Sequence, residues 1–119
     1  MMTSDVVPGK LPISILGKEN GILIGRNVIL KLGVPNCICI LKGTDKESIA
    51  IVPCAEKQPL SFKVPEDFIG ARNRKMRIYS QAFVQELLTA NGLDPAKTHR
   101  IYGAYSEEYN AAIFPLKVL

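Results

Sequence analysis

The chain has no tryptophan, a single histidine, and only four tyrosines and four phenylalanines in 119 residues. Large rings therefore cannot supply its core, which must come from Ile, Leu, Val and Ala. The lone histidine, His99, excludes a paired-imidazole metal site. It also stands beside no cysteine, serine or carboxylate in a nucleophile–base pattern, so it reads as a residue of a turn or strand start. Cysteine is equally sparse: Cys37, Cys39 and Cys54. An odd number without CxxC spacing argues against a disulfide framework and against a zinc site. Cys37 and Cys39 lie two apart, so on a strand they share a face, and they read as small buried apolar residues. No apolar run approaches the roughly 18 residues of a membrane span. The start, Met1 to Lys10, lacks the basic and apolar regions of a signal peptide, so a cytoplasmic location is expected. Gly17, Gly21, Gly25 and Gly33 match neither GxGxxG nor a P-loop and read as turn and cap residues. With no catalytic, metal or cofactor pattern, the expectation is a non-enzyme.

Nearly half of the residues are apolar and the net charge is +4. That balance describes an ordinary folded domain, mildly basic in both halves, and it permits nucleic-acid binding without requiring it. The length suits one core, or two small intertwined halves.

Residues 1–10 read as a flexible lead. Leu11 to Leu16 alternates as a strand, with Pro12 pointing to a sheet edge or strand start. Gly17 to Gly21 is a turn. Ile22 to Ile24 is a short strand, and Arg26 to Leu32 a short helix, its apolar face made by Val28, Ile29 and Leu32. Gly33 supplies a left-handed helix end. Cys37–Leu41 and Ser48–Val52 form a hairpin closed by Pro53. Residues 60–64 alternate as a half-buried strand, and Pro65 to Gly70 suits one helical turn. Met76 to Ile78 alternates again. Ser80 is a good N-cap residue for an amphipathic helix over residues 81–91, ended by Asn91-Gly92. A second hairpin runs from Arg100 to Phe114 and stops at Pro115, leaving an apolar tail expected to dock.

Ala50-Ile51-Val52-Pro53 and Ala112-Ile113-Phe114-Pro115 lie 62 residues apart. Counted back from them, both halves read strand, helix, glycine, strand, charged turn, strand. Ile22–Leu32 corresponds to Met76–Asn91, and Gly33 to Gly92. A unit of this size cannot bury its own apolar face, and a tandem copy supplies the missing partner.

On these residues the chain resembles the AbrB-like swapped-hairpin regulators. Gly21-Ile-Leu-Ile-Gly25-Arg26 stands where that family has its first strand and junction. Leu32-Gly33-Val34 matches its Leu-Gly step, and Cys37 to Pro53 matches its hairpin. Gly25 and Ser80 occupy the two places where the family has proline. Tandem copies resemble the MraZ arrangement. The resemblance implies a β-rich α+β fold, with one AbrB-like unit over 11–59 and another over 60–119 packed as a small pseudo-dimeric barrel. It also implies a DNA-binding transcriptional regulator acting on double-stranded DNA, and a homo-oligomer. The contacts would come from Lys18, Arg26, Arg72, Arg74, Lys75 and Arg77, with Lys31 nearby, because Lys and Arg neutralise phosphates and arginine can bridge a guanine edge. The competing expectation is a protein-interaction or assembly module on the same scaffold. Arg100 with Tyr102, Tyr105 and Tyr109 is a further candidate, as a surface for single strands, although Tyr102 and Tyr105 are expected to pack in their hairpin.

Overall fold

Strand pairing in this chain joins segments far apart in sequence into one continuous sheet. The computed structural model describes residues 11–43, 47–54, 61–68, 70 and 75–116. The elements run β1 (Leu11–Leu16), β2 (Gly21–Ile24), α1 (Arg26–Lys31), β3 (Cys37–Lys42), β4 (Ser48–Pro53), β5 (Ser61–Lys63), β6 (Met76–Tyr79), α2 (Gln81–Ala90), β7 (Thr98–Ser106) and β8 (Ala111–Pro115). The order β-β-α-β-β thus occurs twice.

The eight strands make a nearly closed, barrel-like sheet in the order β5-β3-β4-β8-β7-β1-β2-β6. Each hairpin that follows a helix is inserted between strands of the other half. β3–β4 lies between β5 and β8, and β7–β8 lies between β4 and β1. Corresponding strands also meet directly: β2 pairs β6 antiparallel, Ile22 opposite Ile78, and β4 pairs β8, Ala50 opposite Ile113. β7 is long because it has two partners, β1 along residues 98–103 and β8 along residues 104–106. The strands of 11–53 and of 61–115 are therefore interleaved, and neither set closes the sheet alone.

The inward faces supply the core. Ile13, Ile15, Ile22, Ile24, Ile38, Ile40, Ile49 and Ile51 are at most 1% exposed, and the two fully buried rings are Phe68 and Phe114. This is the aliphatic interior that the scarcity of aromatics dictates. α1 packs on β1 through Val28 and Ile29, and α2 packs near β2 with Phe83, Val84, Leu87 and Leu88 buried. Gln85 of α2 donates to the Gly17 carbonyl (3.1 Å) and to Asn20 Oδ1 (2.8 Å), tying the helix to the β1–β2 turn. Lys42 and Glu86 form an ion pair between β3 and α2.

Both helices end alike. Gly33 (φ 83°) donates to Leu30 and Val34 to Ile29, while Gly92 (φ 69°) donates to Thr89 and Leu93 to Leu88. This is the Schellman pattern, with Val34 and Leu93 packing on the core. The helix starts differ from expectation: Ser80 has the extended backbone of a cap residue, but its side chain makes no capping bond.

The two junctions also show why Gly25 and Ser80 could not be proline. Gly25 has φ −66°, which proline would accept, yet its N–H donates to the Pro12 carbonyl at 3.1 Å. A Cβ there would stand 2.9 Å from that oxygen. Ser80 sits at φ −163°, outside proline's range, and its N–H donates to Asn20 O at 3.0 Å. Pro12 is at a strand start but not at an edge, because β1 is flanked by β2 and β7.

Leu116 is buried, and its N–H donates to Glu47 O at 2.7 Å; the rest of the expected apolar tail lies outside the described residues. Among the described residues no helix is long and apolar enough to cross a membrane.

Candidate nucleic-acid interface

Alternation sorts the strand residues of β6-β2-β1-β7 into two faces. Met76, Ile78, Ile22, Ile24, Ile13, Ile15 and Ile101 are buried. Arg77, Tyr79, Leu23, Ser14, Pro12, Arg100 and Tyr102 occupy the alternate, outward positions. Register then aligns them across the sheet. Arg77 is opposite Leu23, Leu23 opposite Ser14, and Ser14 opposite Arg100. One cross-strand row therefore carries an arginine at each end and a small or apolar middle. Three strand spacings separate the two arginine backbones, about 14 Å.

The walls on either side of that middle repeat one tripeptide. Arg77-Ile78-Tyr79 is on β6 and Arg100-Ile101-Tyr102 on β7. The two strands run antiparallel through β2 and β1, so the tripeptides are related by a local twofold between Leu23 and Ser14. In both, isoleucine enters the core at 5% exposure while arginine and tyrosine project. Tyr79 is 60% and Tyr102 47% exposed. A shallow depression lies on this face beside Arg100 and Lys75, lined also by Pro12, Ile13, Ser14, Leu23 and Gly25.

The side chains on the walls are braced. Arg77 Nη1 donates to the Tyr79 hydroxyl at 3.4 Å and lies 3.6 Å from Glu19 Oε2. The bond to Tyr79 raises the Arg77 pKa above its ordinary value, and Glu19 adds to it. Arg100 Cζ stands over the Tyr102 ring, 5.5 Å from its centroid, a cation–π contact that holds the guanidinium against one ring face. The Tyr79 ring lies over Gly21, where an added Cβ would stand 3.3 Å from Cδ1. Its underside is thus supported by backbone and its other side faces solvent.

Of the residues singled out in the sequence, Lys75 and Arg77 belong to this face. Lys18 is exposed in the β1–β2 turn, beside Glu19. Arg26 is drawn into the protein: Nη1 donates to the Phe68 carbonyl at 3.1 Å, and the guanidinium stands 5.6 Å from the Phe68 ring centroid. Lys31 stands over the Tyr105 ring at 5.8 Å. Arg72 and Arg74 lie outside the described residues. Tyr105 packs against the core as expected, but Tyr102 does not. Arg100 is the residue that counting charges along the chain undervalued. The available signal was the repeated Arg-Ile-Tyr, strand-like in both places.

Other candidates resolve into structure. His99 Nε2 lies 2.8 Å from the Asp94 carbonyl. The Cys54 thiol is pushed up to about 12 by burial, then by Cys39 and Cys37 beside it, which disfavours thiolate chemistry. Among the described residues no group of three or more His, Cys, Asp or Glu is arranged to hold a metal ion.

No family model, no curated protein and no solved structure matches this chain.

Proposed function

We propose that this chain is a DNA-binding regulator of the AbrB-like kind, built from two tandem strand-helix-hairpin units. The interleaved hairpins, the direct β2·β6 and β4·β8 pairings and the twin Schellman ends support the tandem reading. The observation that carries DNA binding is the outward face of β6-β2-β1-β7, where Lys75, Arg77 and Arg100 project together. Cations about 14 Å apart on a face with a local twofold suit the antiparallel backbones of a duplex. The Glu19 carboxylate near Arg77 is exposed, so a phosphate displaces it at little cost.

A salt series tests the reading. Binding to a duplex should weaken linearly in log–log form, and removing both Arg77 and Arg100 should flatten the slope by about 2, close to one unit per phosphate contact. No binding to any duplex at about 50 mM salt contradicts it.

A second reading is favoured by a different surface. Leu41, Ala50, Ile113 and Ala104 form a charge-free row across β3-β4-β8-β7. Leu41 is 52% and Ile113 37% exposed. That face suits a protein-interaction or assembly module, with a second copy of the chain as its simplest partner. Sedimentation of the wild type and Leu41→Glu separates this reading from the first.

A further inference from the structure

From the paired Arg-Ile-Tyr walls we infer that the same face holds DNA with unpaired bases, Tyr79 and Tyr102 serving as stacking platforms and Arg77, Arg100 and Lys75 as phosphate contacts. This rests on the DNA-binding reading only so far as that face binds DNA, and it makes a single strand rather than a duplex the preferred form; binding of the single strand alone would support it and overturn the duplex reading.

Three observations converge on it. Both tyrosines stand in the open on a sheet whose other aliphatic and aromatic side chains are largely gathered inside. A duplex cannot use them, because its base faces are already stacked on one another, whereas an unpaired base offers a free π-face. Each ring is also held ready. Tyr79 lies on Gly21 and is bonded through its hydroxyl to Arg77, and Tyr102 carries the Arg100 guanidinium over one face, so a base stacks on the opposite face. Little rotamer freedom is then lost on stacking.

The floor between the walls completes the fit. Pro12, Ser14, Leu23 and Gly25 line a shallow depression flanked by Lys75 and Arg100, so a sugar-phosphate strand can lie between those two cations. A trough with a low middle does not present the protruding ribbon that enters a major groove. From strand rise and spacing, the two tyrosine backbones are roughly 20 Å apart on the diagonal. That suits a short site, at the small end of the roughly 4–16 nucleotides of single-strand binding folds. The local twofold places equivalent Arg and Tyr groups at both ends of the trough.

The test uses the full chain with a fluorescent thymidine oligomer of about 20 nucleotides and a duplex of equal length, titrated at the same low salt. The single strand should bind at least about tenfold more tightly than the duplex. Tyr79→Leu and Tyr102→Leu should each weaken the single strand about tenfold while changing the duplex little, and Tyr79→Phe and Tyr102→Phe should restore it, since the ring and not the hydroxyl stacks. Thermal melts of each variant confirm folding. If the duplex binds in an Arg77-dependent way, but the single strand is no tighter and the Leu variants match wild type, the inference is overturned and DNA binding stands. If neither form binds, both fall.

Discussion

Substituting Gly103 by alanine probes the point where the two halves become one sheet. Gly103 is the last residue of β7 opposite β1, paired with Leu11, and Ala104 is already paired with Ile113 of β8. A Cβ at Gly103 would run into the Ile113 carbonyl and stand 2.8 Å from Phe114 Cγ. Carbon atoms prefer about 3.5–4.0 Å, so the ring must retreat by about 1 Å. Phe114 is fully buried and has nowhere to go, and the Ile113 carbonyl cannot move without disturbing the β7·β8 ladder. Overpacking of this kind costs about 1–3 kcal/mol, and the backbone clash puts Gly103→Ala at the upper end. At about 3 kcal/mol, the melting temperature of a chain this size should fall by roughly 12 °C. Differential scanning calorimetry reads this directly. Adding Phe114→Leu, which costs stability by itself, should recover part of the Gly103→Ala loss, giving a coupling of at least about 0.5 kcal/mol. A Gly103→Ala melt within about 2 °C of wild type refutes the close approach of β7 and β8. Strict additivity in the double variant refutes the role given to the Phe114 ring.

Other outcomes follow from the same geometry. Gly33→Ala and Gly92→Ala meet no neighbouring atom, so each should cost only the left-handed penalty of about 1–2 kcal/mol, measured by urea unfolding. Arg26→Ala should destabilise by about 1–2 kcal/mol through its lost contacts with Phe68, whereas Arg77→Ala, paired only with exposed groups, should stay within about 0.5 kcal/mol; equal losses in chemical denaturation contradict the division between them. With its pKa raised from 9.0 to about 12, the Cys54 thiol should react with iodoacetamide near pH 8 some tens of times more slowly than a free thiol, the greater nucleophilicity of its thiolate offsetting part of the lost ionisation. The sign follows from the raised value: the neutral thiol is favoured in the folded state, so its contribution to stability is full below pH 9 and lost as pH rises toward 12.

Local chemistry was readable in the sequence. Glycine at each helix end, the polar hairpin turns and the alternation of Met76, Arg77 and Ile78 are short-range signals, and each strand and helix lies close to where they put it. What the sequence could not convey is who pairs with whom. β1 with β7 and β3 with β5 are choices made by sheet closure, and no local pattern encodes them. That is why Pro12 suggested an edge although β1 is central. The same limit governs the candidate site. Charge density along the chain pointed to residues 72–77 and to Arg26, but Arg26 is engaged with Phe68, while Arg100 reaches Arg77's row only through the register of two intervening strands. The proline missing from both junctions was visible as a departure. Its reason, two N–H groups already committed to Pro12 and Asn20, needed the tertiary structure.

The most direct test of the site is a map of where DNA touches the chain. Amide chemical-shift changes should be followed while the thymidine oligomer is added to isotope-labelled protein. If the face of β6-β2-β1-β7 is the interface, the largest shifts fall on Ser14, Leu23, Gly25, Lys75, Arg77, Tyr79, Arg100 and Tyr102. Shifts confined to Leu41, Ala50, Ile113 and their neighbours, or none at all, contradict it.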